Sequence, residues 1–254
     1  MFGIIRFFLK RALAYRAEVI PSLISHPIEL ILLYFVWNAI YSTQQSIGDF
    51  TFHILIMYYI AAKITEVLVD DNVGHDIGIL IRDGDFSPHL LKPIPFFFYQ
   101  LYNKIGNRMI ALVLQVIPLI VVFTLLFYPY IIAGNVYLFL LSLLCAFYIR
   151  FTLGFIIGTL AFWFVNIRSF NWLIMFFVAL VSGTAIPLSF FPDAFYTFLL
   201  FTPFAYIIYV PVSIYLEHIS AYYIIGQMIW MILLSIASYI LYNMAISRYE
   251  GVGQ

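Results

Sequence analysis

Six stretches of mostly apolar residues limit what this chain can fold into more than any motif does. They run over roughly 20–41, 50–69, 109–131, 136–164, 170–191 and 221–246. About 20 such residues in a helix cross the hydrocarbon core of a bilayer. No water reaches a stray N–H or C=O there, so a spanning segment must satisfy its backbone within itself. The chain therefore reads as an all-α integral membrane protein with six transmembrane helices, forming one membrane domain over 1–254. Composition agrees: 65% of the 254 residues are hydrophobic and 9% charged, against about 25% charged in soluble domains. The formal net charge is zero, which gives no general attraction to nucleic acid. The single cysteine, Cys145, lies in an apolar run and can form no intrachain disulfide. The opening MFGIIRFFLKRALAYR is not a convincing signal peptide, because Arg6, Lys10 and Arg11 break its apolar run.

Orientation follows from the basic residues. With the N-terminus in the cytoplasm, Arg6, Lys10, Arg11, Arg16, Arg82, Lys92, Lys104, Arg108, Arg168 and Arg248 all fall on inner segments. The outer segments, near 42–49, 132–135 and 192–220, carry no Lys or Arg. Both termini are expected inside a bacterial cell membrane. Residues 1–18 form a basic juxtamembrane segment suited to anionic lipid. The link 70–108 becomes cytoplasmic. The stretch 192–220 is too broken by Pro192, Pro203 and Pro211 for a straight span and too apolar for a free loop. It is expected to be a re-entrant or interfacial external segment before span six.

Catalytic patterns are missing from the sequence. It contains no GxxxxGK[ST] phosphate loop, no HExxH, no CxxC and no GxSxG. Asp70, Asp71, His75 and Asp76 have metal-ligand chemistry, but their spacing enforces no coordination geometry, and no metal site is expected. Asp83-Gly84-Asp85 lacks the alternating acids of a calcium loop. Ionisable groups within spans carry more weight, since burying one costs a few kcal/mol or more. Glu29, Lys63, Glu66 and Arg150 form either part of a transport pathway or a structural set. In the structural reading Arg150 pairs with Glu29 or Glu66, and Lys63 reaches the inner interface. Gly154 and Gly158, in GFIIG, allow close helix approach.

The link IRDGDFSPHLLKPIPF, Ile81 to Phe96, interrupts the apolar pattern. Asp83-Gly84-Asp85 reads as a turn. Ser87-Pro88 reads as an N-cap with proline at the first helical position, and Lys92-Pro93 and Pro95 stop the short helix. Phe86, Leu90, Leu91 and Ile94 then offer an apolar knob rimmed by Asp83, Asp85 and Lys92. The element Gly84 to Pro93, GDFSPHLLKP, resembles the G-x-x-x-x-L-L-K/R-P element of permease subunits of type-2 ABC exporters (the ABC-2 superfamily). The early AYRAEV, the span ending FVWNAIY and the proline-broken aromatic segment before the last span are similar to the same group.

That resemblance implies a permease that pairs with a second permease, identical or paralogous, above two separate ABC ATPase subunits. The ATPases would bind ATP and Mg, so this chain would be no enzyme and would hold no cofactor. The link would carry a coupling helix docking into an ATPase through Asp83, Phe86, Leu90, Leu91, Lys92, Pro93 and Ile94. The aromatic fifth span, with Ser182-Gly183-Thr184-Ala185 before Pro187, would suit export of a hydrophobic or amphipathic cargo. Two other classes compete. A stand-alone secondary transporter would show inverted repeats with interrupted helices in both halves. A membrane-embedded enzyme of lipid metabolism would need convergent polar residues within its spans.

Overall fold

The computed structural model describes residues 16–70, 72–164 and 168–248. Most of the juxtamembrane segment 1–18 lies outside the described residues, as do Asp71 and the C-terminal 249–254. The first long helix, α1, is Arg16–Tyr41, with Pro21 and Pro27 inside it. A two-stranded ladder follows, β1 Ser46–Ile47 and β2 Phe50–Thr51. Gly48, at φ 57°, makes the turn between them. Thr51 accepts from the Ile54 N–H and caps α2, Phe52–Val69. Asp70 caps the end of α2, and Asn72 precedes α3, Val73–Arg82, which leads to the four-residue α4, Ser87–Leu90.

The return helix begins as α5, Phe96–Ala111, widens into a π turn at Leu112–Val116 and resumes as α6, Ile117–Phe127. Pro118 sits just past the π turn and lacks the N–H that a regular ladder would use there. The remaining elements are α7 Val136–Thr159, α8 Arg168–Val181, α9 Asp193–Leu200, α10 Tyr209–Tyr215 and α11 Tyr223–Ile246.

Among the described residues five helical stretches are long and apolar enough to cross a membrane: Pro21–Tyr41, Phe52–Arg82, Phe96–Tyr130, Val136–Phe162 and Tyr223–Ile246. The expected fifth span, 170–191, differs. Its helix stops at Val181, and the backbone turns at Gly183 with φ 90°. The tyrosines of α2 account for how this break is tolerated. Tyr58 donates its hydroxyl to the Gly183 carbonyl at 2.6 Å, and Tyr59 donates to Ala185 at 2.9 Å. The Ser182 carbonyl accepts from the Tyr209 N–H at 2.9 Å. Irregular backbone survives among apolar surroundings only when protein groups complete its hydrogen bonds, and these three do so. The stretch after it, Ala205–Ile214, is buried rather than draped over the surface.

Two helices form the centre. α2 and α7 are largely buried, whereas α1 and α11 each turn a long apolar face outward. α7 and α11 run parallel, clamped at three levels. Gln227 donates to the carbonyls of Ser142 and Tyr206 at 3.0 and 3.1 Å while accepting from the Ser142 hydroxyl at 2.9 Å. Tyr148 meets Ser235 at 2.7 Å, and Phe155 meets Tyr242 with ring centroids 5.6 Å apart. Each polar pair hides its atoms from hydrocarbon, so the clamps fix register as well as adding attraction.

Gly158 explains the close approach of α3 to α7. A Cβ there would lie 2.9 Å from Ile77 Cβ and 3.0 Å from Gly74 Cα. Gly158→Ala is expected to destabilise the fold by about 1–3 kcal/mol, the usual cost of overpacking a close contact. Thermal melting in detergent checks this. A control at an uncrowded glycine, Gly106→Ala, meets nothing within 4 Å and is expected to leave the melting temperature unchanged or raise it.

Candidate functional site

Two places bring chemistry-bearing residues together: the α3–α5 link and a charged layer at the far end of α2.

In the link, α4 forms where expected, but its cap does not. Ser87 lies inside the helix, Phe86 takes the N-cap position without a side-chain hydrogen bond, and Pro88 occupies the first turn. Phe86 is also not part of an exposed knob. It is fully buried, with its ring centroid 5.0 Å from both Phe96 and Phe162 in edge-on contacts. An isolated four-residue helix has no stability of its own, so this aromatic plug fixes α4 onto α5 and the end of α7. Beyond the plug Leu91 is 88% exposed, and Leu90 and Ile94 are exposed with it. Pro93 and Pro95 are exposed and hold the chain rigid.

The polar rim has its own structure. Asp83 pairs with the neighbouring Arg82 at 2.8 Å, and this hydrogen bond holds its carboxyl below the ordinary range. Lys92 places Nζ 3.7 Å above the Tyr99 ring and 3.2 Å from His89 Nδ1. Burial and the adjacent Lys92 charge lower the pKa of His89, which favours the neutral ring. Phe86→Ala removes the plug and is expected to destabilise this corner by about 3–5 kcal/mol. Hydrogen exchange should rise at 83–95 while α2 and α7 stay protected.

The charged layer lies where α1, α2, α3, α5 and α7 converge. Lys63, with a side chain only 3% exposed, reaches Glu29 at 2.7 Å and Glu66 at 2.9 Å. Glu66 is its i+3 neighbour on α2, so one face of that helix supplies both charges. Arg150 on α7 does not pair with Glu29 or Glu66. Its guanidinium donates to Asp70 at 2.5 Å. The reason is geometric: Lys63 already occupies both glutamates, and Asp70, one turn past Glu66, ends α2 beside α7. Lys104 meets Asp76 at 2.7 Å, and Arg108 donates to the Val67 carbonyl at 2.7 Å. The cations Lys63, Arg150 and Lys104 are buried, while their carboxylate partners face outward. The side chains of Glu29 and Asp70 are 51% and 54% exposed.

Beside this layer is a half-open cavity of about 270 Å³ lined by Glu66, Asp70, Arg150, Trp172, Phe176 and Thr184. The tip of α2, the middle of α7 and the broken α8 form its walls. Sequence reasoning missed Asp70 and Asp76 as ion partners and Tyr58 and Tyr59 as backbone donors. The signal for Asp70 was its i+4 spacing from Glu66; the tyrosines carry no local signal. Asp70 and Asp76, which have metal-ligand chemistry, are both engaged in ion pairs.

No curated protein matches the chain significantly. Residues 28–253 match the family described as ABC-2 family transporter protein. The match takes in the first long apolar helix from Ile28 onward, the other four, the link with α4 and the charged layer. The chain thus belongs to the ABC-2 transporter family, as a multi-pass membrane protein.

Proposed function

We propose that this chain is the permease subunit of an ABC exporter, moving a hydrophobic or amphipathic cargo with energy from separate ATPase subunits. The observation that carries this reading is the braced α4. A rigid, exposed apolar tip with polar neighbours, anchored by Phe86 to two membrane helices, can pass a push from a docked partner into the bundle. Leu90, Leu91, Lys92, Pro93 and Ile94 form the proposed ATPase contact, with Asp83 at its edge. ATP and Mg would bind in the ATPases, because this chain has no phosphate loop.

A second permease would pack against α1 and α8. Ile24, Ile28, Leu32, Phe35 and Val36 form an exposed row on α1, with Glu29 on the same helix half-exposed. A half-exposed carboxylate is costly against acyl chains, which favours a partner or a water-containing pathway on that side. The 270 Å³ cavity would belong to this pathway. α8, its break and the buried segment after it would together make a sixth, discontinuous crossing. Both termini and the link would be cytoplasmic, following the basic residues. ATP-dependent transport in proteoliposomes containing this permease and an ABC ATPase tests the reading. Transport that persists without nucleotide would replace it with a secondary transporter.

A further inference from the structure

Two adjoining depressions lie beside α4, between the start of α5, α7 and α11. One, about 380 Å³, is bounded by Pro95, Phe97, Tyr148, Ser238, Tyr239 and Tyr242. The other, about 340 Å³, is bounded by His89, Lys92, Ile94, Pro95, Phe96 and Tyr242. They share Pro95 and Tyr242 and so form one continuous groove. Its apolar end opens onto the exposed row Ile232, Ile236, Tyr239 and Ile240 of α11, so an occupant would enter from the hydrocarbon side. Its polar end holds Lys92.

Lys92 stands apart from the cations held in ion pairs, and from Arg108, which donates to the Val67 carbonyl. Lys63, Arg82, Lys104 and Arg150 each have a carboxylate partner. Among the described residues no carboxylate lies within ion-pair distance of Lys92. It rests instead on the Tyr99 ring and on His89. The groove therefore joins an apolar trough facing the bilayer to a positioned ammonium that has no carboxylate partner among the described residues.

We propose that this groove binds one anionic phospholipid, with an acyl chain along Phe97, Tyr148, Tyr239 and Tyr242 and its phosphate on Lys92. A basic site at a helix end that meets an apolar trough is the arrangement that retains acidic headgroups. The occupant would tie α4 to the leaflet in which α11 ends. The groove shares Lys92 and Ile94 with the proposed ATPase contact, so the lipid is tested on the permease alone, without an ATPase.

Native mass spectrometry of the purified full chain in detergent tests it, with phosphatidylglycerol and phosphatidylcholine as probes. One bound phosphatidylglycerol is expected to survive where phosphatidylcholine is lost. Lys92→Gln should weaken phosphatidylglycerol about five-fold, matching roughly 1 kcal/mol for one basic group at a membrane surface. It should leave phosphatidylcholine unchanged, and Lys92→Arg should restore the preference. Tyr239→Ala, at an exposed position, should weaken both lipids. Equal retention of the two lipids, or no effect of Lys92→Gln, would overturn the assignment. Displacement of phosphatidylglycerol by millimolar inorganic phosphate would also overturn it, in favour of a free-anion site.

Discussion

Leu91→Asp is expected to uncouple this permease from its ATPase without unfolding it. Leu91 is 88% exposed at the end of α4 and packs on nothing that holds the bundle together. A charge there costs the isolated chain little. Inside a partner's apolar pocket the same charge would be desolvated without a counter-ion. Central interface residues commonly contribute 2–4 kcal/mol, so ATPase affinity should fall by about 30- to 1,000-fold. Leu90→Asp should act in the same direction with a smaller loss, since Leu90 is only half as exposed. Co-purification and ATPase stimulation measure the effect, with the melting temperature as the control. Phe86→Ala should also reduce coupling, but by loosening α4. Only that variant should raise hydrogen exchange across 83–95.

The second large effect concerns Lys63. Its side chain is almost fully enclosed, and Glu29 and Glu66 are its two anions. Removing both, with Glu29→Gln and Glu66→Gln together, strands a buried ammonium. Breaking a buried pair by deleting one partner typically costs about 3–5 kcal/mol. Each single change leaves one carboxylate in place and should cost about 1.5 kcal/mol, the low end for a hydrogen bond to a charged group, since both glutamates are partly exposed. The double variant should therefore lose more than the sum of the singles. Adding Lys63→Met should recover most of the loss, because an apolar group of similar length removes the uncompensated charge. Melting of the full set in detergent decides this. If the double variant is no worse than the sum, Lys63 is not held by this pair of glutamates.

The asymmetry of the layer gives it meaning beyond stability. Buried cations with outward-facing carboxylates turn an acidic surface toward the 270 Å³ cavity and the exposed side of α1. The layer joins α1, α2, α3, α5 and α7 through its ion pairs, and the proposed pathway would run along its carboxylate edge.

Five of the long helices were legible in the sequence because a bilayer demands one property, length of apolar run, that can be read directly. The fifth expected span was not. Its residues are as apolar as the rest, and the break at Gly183 depends on Tyr58, Tyr59 and Tyr209, which lie far away in sequence. The short helix at 87–90 was legible from Pro88 and the prolines that end it. Its burial pattern was not, because Phe86 faces Phe96 and Phe162 only after α5 and α7 have met. The ion pairs were half legible. Lys63 and Glu66 share a helix face by spacing alone, whereas Arg150 could reach its partner only in three dimensions. Asp70 carries no sequence signal for Arg150 in particular, because α7 comes beside it only in the fold.

The central claim is that Leu91 is the tip on which an ATPase acts. The most direct measurement places a photo-crosslinking residue at position 91, and separately at position 86, in cells expressing the permease with an ABC ATPase. Crosslinking from position 91 should capture the ATPase, and the yield should change when ATP is trapped. Position 86 should give none, since it is enclosed within the permease. Crosslinking of the ATPase from position 86 and not from position 91 would contradict the account.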